Sequence, residues 1–229
     1  MGSVAVVIVA AGSGTRLGAA TPKAFVPLSG RSLLSRAISA ATASPQVLVL
    51  VVVAPSSHLD EATAAASSAR DGVTVRVVPG GYERSDSVAA GLAALPDEVD
   101  VVLVHDAARA LAPTSLFTAV IDAVRAGHPA VVPGLPVVDT IKQVSADGLV
   151  VSTPDRAWLR AIQTPQGFTR ETLTRAHDLR AGGPITDDAA LVERLGLPVH
   201  VIDGDPLALK ITTGEDLLHA ETQLERNPA

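Results

Sequence analysis

Val4–Val9, Val47–Ala54 and Val101–Val104 are uninterrupted apolar runs of strand length, separated by Ala- and Leu-rich stretches of helical length. A strand with one wet face alternates polar with apolar residues. These runs do not, so both of their faces must be covered. Alternating β and α segments on this scale fold as an α/β protein with a mostly parallel, doubly wound sheet and helices on both faces. The same pattern predicts helices over Leu33–Thr42, Ser57–Ala69, Asp86–Leu95 and Thr114–Ala126, and strands over Val73–Val78 and Ala130–Val132. Ser85 is available to cap the third helix, and Gly127 closes the fourth.

The pattern breaks at Gly134. Val137–Val144 and Leu149–Ser152 read as two strands joined through Asp147-Gly148, a strong hairpin signal. A two-stranded ribbon is not stable alone. Residues 137–153 are therefore expected to project as an arm that packs on a partner subunit, the alternative being a hairpin folded back on its own domain. Leu159–Gln163 then reads as strand, Thr169–Arg180 and Asp187–Leu195 as helices, Val199–Ile202 and Leu207–Ile211 as strands, and Glu215–Arg226 as a helix. There is no repeat or low-complexity linker, so residues 1–229 are read as one domain with one arm.

Composition narrows the chemistry. Hydrophobic residues make up 47% of the 229 but aromatics only 2%, so the core must be aliphatic. A net charge of −6 without a long basic run argues against nucleic acid as a partner. The absence of cysteine excludes disulfides and thiolate metal sites. The longest apolar run, Val47–Ala54, is too short for a bilayer. The N-terminus lacks the basic and cleavage-site pattern of a leader, so a cytoplasmic, membrane-free protein is expected.

Ala10-Ala11-Gly12-Ser13-Gly14-Thr15-Arg16-Leu17-Gly18 follows the first strand, with Pro22-Lys23 just beyond. A strand that empties into a Gly-rich loop presents bare backbone N–H groups suited to phosphate oxygens. Arg16 and Lys23 add a guanidinium fork and a point charge. The dinucleotide and Walker A spacings are both missing. A glycine turn that binds nothing is the plain alternative, as is a solvated Lys23.

Further segments have the same ambiguity. Gly80-Gly81-Tyr82-Glu83-Arg84-Ser85-Asp86-Ser87 leaves a strand and opens a helix, as either a ligand turn or ordinary capping. Asp106 and Arg109 in His105-Asp106-Ala107-Ala108-Arg109 stand at the carboxyl end of a strand, where α/β proteins bind ligands. Arg109 could equally be a salt-bridge partner of Asp106. His105 reads as a packed, hydrogen-bonded histidine, since no second His or Cys has ligand spacing. Thr186-Asp187-Asp188 reads as a helix N-terminus. Lys210, inside an apolar stretch, must face solvent or meet an anion.

Taken together and in order, these segments, with Asp139-Thr140-Ile141-Lys142 and Thr164-Pro165-Gln166, resemble the 2-C-methyl-D-erythritol 4-phosphate cytidylyltransferase family over essentially the whole chain. The resemblance implies a Rossmann-like nucleotidyltransferase fold, a homodimer joined through the arm, and CTP with Mg²⁺ held mainly by the CTP phosphates. It implies catalytic roles for Arg16, Lys23, Arg156 and Lys210. It assigns Ala10, Ala11, Gly12, Ser13, Gly14, Gly80, Gly81, Ser87 and Asp106 to the nucleotide. Asp106, Arg109, Thr140, Lys142, Arg156, Thr186 and Lys210 fall to a small polyol phosphate, with Thr140, Lys142 and Arg156 reaching across the dimer. The family motif continues from His-Asp-Ala-Ala-Arg into Pro, where Ala110 stands here.

Two other functions are compatible with the residues: a ribitol-5-phosphate cytidylyltransferase and a non-catalytic nucleotide-binding module. The features around Arg156, Thr186 and Lys210 favour methylerythritol phosphate.

Overall fold

The computed structural model describes residues 2–12, 21–179 and 187–226. β1 (Ser3–Val9) emerges from the N-terminus and runs in parallel register between two other strands. Beyond it, β2 (Pro27–Leu28) and β3 (Arg31–Ser32) form a small ribbon. Its turn, Ser29-Gly30, has positive φ at both residues, the geometry of the tight primed hairpin turns. The helical pattern does not reveal this ribbon because each strand has only two residues.

α1 (Leu33–Ala43) is capped by Ser32, whose side chain accepts from the Ser35 N–H. β4 (Val47–Ala54) has the bounds that its apolar run predicts, with Leu48 left exposed. A short 3₁₀ turn at Ser56–His58 delays α2 to Leu59–Ala66, later than the expected start at Ser57. β5 (Thr74–Pro79) leads into α3 (Arg84–Ala93), and β6 (Val99–Asp106) into α4 (Thr114–Arg125).

β7 (Ala130–Pro136) outlasts its expected end at Val132. Its prolines donate nothing, but their carbonyls still accept: the Gln163 N–H meets the Pro133 carbonyl at 2.8 Å. The arm is shorter than expected. Only β8 (Gln143–Val144) and β9 (Val150–Ser152) pair, with Gly148 at positive φ in their turn. The segment before Gln143 has no strand partner within the described chain, so it is not a strand.

After β10 (Arg160–Ile162) comes β11 (Gln166–Thr169), a strand that the sequence pattern misses. It is short, contains Gly167 and lacks a β-branched run. Gly167 is required there, since a Cβ would lie 2.4 Å from Val120 of α4. α5 (Arg170–Asp178), α6 (Asp188–Arg194), β12 (His200–Asp203) and α7 (Gly214–Arg226) complete the chain.

The eight-stranded sheet has the order β10-β7-β11-β6-β1-β4-β5, with β12 also paired to β7. β1, β4, β5, β6, β7 and β12 share one direction; β10 and β11 run against it. Side-chain alternation divides the core. Val4, Val6 and Ile8 pack with α1, α2 and α4 on one face. Ala5 and Val7 pack with α3, α5 and α6 on the other. A third cluster joins Leu28, Leu33, Ala110, Ile211 and Ala220, seating α7 against the small ribbon.

The expected strand at Leu207–Ile211 is not formed. Asp205 accepts from the Leu207 N–H at 2.7 Å and opens a 3₁₀ turn over Pro206–Ala208. Proline lacks the donor that a strand would need. The segment is instead tied to the β6 end, where the Ile211 N–H reaches the Ala108 carbonyl at 2.9 Å.

Candidate active site

The carboxyl ends of β1, β5 and β6 open onto one cleft. Ala10, Ala11 and Gly12 leave β1 along its wall, and Ser13, Gly14 and Arg16 lie outside the described residues. Lys23 enters the cleft from a 3₁₀ turn begun by Pro22. Gly81, Tyr82, Glu83, Arg84 and Ser87 line it from the α3 side, with Asp106 and Lys210 opposite. The cavity volume is about 180 Å³, and it opens to solvent.

Gly80 lets the two loops meet. A Cβ on it would lie 2.5 Å from the Ala11 Cβ and 2.8 Å from the Ser87 hydroxyl. Ser87 is buried, accepts from the Gly81 N–H at 3.2 Å and donates to the Glu83 carbonyl at 3.2 Å. Glu83, not Ser85, is the N-cap of α3. Asp86 reaches back to the Glu83 N–H at 3.0 Å, which starts the helix earlier than the apolar pattern suggests.

Asp106 ends β6 between two cations. Its Oδ2 lies 2.7 Å from Lys210 Nζ, and its Oδ1 lies 3.3 Å from Arg84 Nε. Burial opposes ionisation, but the charges of Arg84 and then Lys210 outweigh it and hold this carboxyl well below the usual range. Its backbone N–H donates to Thr164 Oγ1 at 3.0 Å. Lys210 thus faces an anion, one of the two outcomes that its apolar surroundings allow.

Arg84 is a residue to which the sequence reading gives no role. It opens α3, where a cation opposes the helix dipole; that misplacement is the signal that could have marked it. Its NH1 is 2.7 Å from Asp188 Oδ2. Burial lowers its pKa, but Asp188 and then Asp106 reverse the effect and raise it further above the ordinary arginine value.

A second cavity adjoins the first. It is lined by Arg109, Gln163, Thr164, Gln166 and Asp187 and shares Arg84, Asp106 and Lys210 with its neighbour. Arg109 does not pair with Asp106. Its guanidinium donates to the Ala208 carbonyl at 2.6 Å and the Ile162 carbonyl at 3.2 Å, which braces the segment that carries Lys210. Ala110, in place of the usual proline, is buried, and its turn is held by the bonds Arg109 N–H to Asp106 carbonyl and Ala112 N–H to Arg109 carbonyl. Gln163 adds a second brace through the Asp205 backbone.

Thr140, Lys142 and Arg156 line neither cavity. Lys142 bonds Thr153 at 2.8 Å, and Arg156 donates to the Val138 carbonyl. Thr186 lies outside the described residues; Asp187, beside it, caps α6 through the Ala190 N–H at 3.0 Å. His105 is fully buried, 3.1 Å from Thr164 Oγ1 and packed on Phe117. Among the described residues no three His, Asp or Glu side chains gather to hold a metal.

A cleft of backbone amides and lysines suits a polyphosphate. The family model described as IspD, 2-C-methyl-D-erythritol 4-phosphate cytidylyltransferase, matches residues 4–226. A protein of that description from Nocardia farcinica is 53% identical, over 100% of this chain and 96% of its own. One from Rhodococcus jostii is 51% identical over 98% and 96%. Among solved structures, 4-diphosphocytidyl-2C-methyl-D-erythritol synthase from Anaerococcus prevotii superposes with a TM-score of 0.87 at 29% identity, covering 98% and 99% of the two chains. The 2-C-methyl-D-erythritol 4-phosphate cytidylyltransferase of Thermus thermophilus gives 0.78 at 33%, covering 97% and 99%.

Proposed function

The chain belongs to the 2-C-methyl-D-erythritol 4-phosphate cytidylyltransferase family, and from that premise we propose how its cleft performs the reaction. It is a nucleotidyltransferase that uses CTP to cytidylylate 2-C-methyl-D-erythritol 4-phosphate in isoprenoid biosynthesis. An acceptor phosphate oxygen attacks the α-phosphorus of CTP. A P–O bond forms there, the α–β anhydride bond breaks, and pyrophosphate leaves. The nucleophile is already ionised at neutral pH, so no general base is required; positioning and charge carry the step.

The observation that carries the reading is the convergence of Lys23 and Lys210, distant in sequence, on one cleft beside the Ala10–Gly12 backbone. Lys23 meets the charge that builds at the α-phosphorus, together with Arg16. Such contacts accelerate the step to the extent that they tighten in the transition state. The Ala10–Gly14 loop cradles the triphosphate, Gly80, Gly81 and Ser87 select the cytosine, and Asp106 holds the ribose side. Lys210 and Arg109, which line the second cavity, bind the acceptor, a role that Thr186 shares.

Mg²⁺ neutralises triphosphate charge when bound. Asp106 already meets two cations, so the donor set fits an ion carried in on the phosphates. Val150, Val151 and Trp158 of the arm region are 60%, 63% and 86% exposed. Apolar groups left bare in this way suit a second copy of the chain, which would deliver Thr140, Lys142 and Arg156 to the acceptor. A cytoplasmic location completes the reading; no helix among the described residues is long and apolar enough to cross a membrane.

The test is pyrophosphate release from CTP and Mg²⁺ with methylerythritol phosphate or ribitol 5-phosphate as sole acceptor. Release with the first and none with the second is expected. Release with ribitol phosphate alone overturns the assignment.

A further inference from the structure

Asp188 is a buried carboxylate one helix away from the cleft, and nothing in the reaction as described uses it. Its two oxygens are divided. Oδ2 takes Arg84 NH1 at 2.7 Å, and Oδ1 lies 3.1 Å from His177 Nε2 on α5. Its side chain is about 1% exposed. Arg84 is divided in turn, with NH1 on Asp188 and Nε on Asp106. Asp106 divides its oxygens between Arg84 and Lys210. The result is a continuous line of polar contacts, His177–Asp188–Arg84–Asp106–Lys210. It crosses from α5 and α6 through the start of α3 and the end of β6 to the C-terminal segment.

We propose that Asp188, braced by His177, is a positioning residue: it draws the Arg84 fork toward α6, so that Asp106 keeps one oxygen for Lys210 and Lys210 keeps its place between the two cavities. A guanidinium freed from Asp188 would turn both of its donor edges on Asp106, the geometry that arginine and carboxylate prefer. Lys210 would then share its oxygen with the guanidinium and be pushed from its place by a neighbouring like charge. Removing one member of a buried pair also leaves the other uncompensated, which strengthens that turn toward Asp106. The opposed effects of burial and neighbouring charge on Arg84 and Asp106 support this coupling.

The proposal rests on the assigned reaction, so parent turnover is measured in parallel: it reports on the reaction, and the variant-to-parent ratio on the relay. Asp188→Asn keeps shape and removes charge. The expected result is a loss of about tenfold or more in kcat/KM for methylerythritol phosphate, with KM for CTP within about twofold of the parent. Asp106→Asn and the Asp188→Asn, Asp106→Asn double variant complete a cycle, and the second substitution is expected to cost far less once the first is made. Arg84→Lys, a point charge that cannot span two carboxylates, is expected to lower kcat/KM for methylerythritol phosphate by the same order and serves if Asp188→Asn does not fold. Parent-like acceptor kinetics, equal losses toward both substrates, or additive effects in the cycle would overturn the proposal.

Discussion

His105 shows how a single residue can be read correctly and still conceal its consequence. It packs as expected, but complete burial pushes its pKa down to about 4, with Asp106 raising it and Arg109 lowering it by lesser amounts. In the unfolded chain the imidazole takes a proton near pH 6.5; in the fold it stays neutral until about pH 4. The unfolded state therefore binds the extra proton first. The stabilisation is present above about pH 6.5 and is lost as pH falls toward 4. Asp106, also depressed in the fold, acts from the low end of this window downward, because an unfolded carboxyl titrates near 4. The urea midpoint of the parent is expected to fall between pH 6.5 and 4, and that of His105→Asn to fall less over the same range. Parallel curves would remove His105 as the cause. At this scale the anions and cations of the site were legible as residue types, but their pairing was not. A pair of Arg109 with Asp106 was the plain alternative to ligand binding, whereas Arg84 and Lys210 take that place from 22 and 104 residues away.

Elements were legible in proportion to their length and apolar continuity. β4 matches its run at both ends, and seven of its eight apolar residues are buried, Leu48 being the exposed one. β2, β3, β8 and β11, of two to four residues, depend on a partner strand for their existence. α3 depends on a contact that periodicity does not display. Gly91 lies where a Cβ would sit 2.5 Å from Val7 Cγ1 and 3.1 Å from Val53 Cγ2. In an exposed helix Gly→Ala stabilises by about 1 kcal/mol. Here overpacking opposes it with about 1–3 kcal/mol. Gly91→Ala is expected to lower stability in chemical denaturation by up to about 2 kcal/mol; a gain would mean that α3 and β1 have room to separate. The close approach matters for function because α3 carries Arg84 and Ser87 to the cleft.

The whole molecule adds what no element holds alone. Sedimentation velocity is expected to give a dimer, and Val150→Lys with Trp158→Glu to give a monomer with greatly reduced turnover, since arm residues would no longer reach the acceptor. A parent monomer with full turnover would show that each chain completes its own site.

The sequence by itself determined the layered α/β class, the long strands, the Gly-rich loop and the two lysines, because apolar continuity and backbone freedom are local properties. Family membership, too, is carried in the order of the motifs. Only the tertiary structure decided that Leu207–Ile211 is a braced turn, that Arg109 holds its backbone, and that Arg84 stands between Asp106 and Asp188. Those outcomes depend on which charges meet once the carboxyl ends of the strands share one cleft, and separation along the chain says nothing about that meeting.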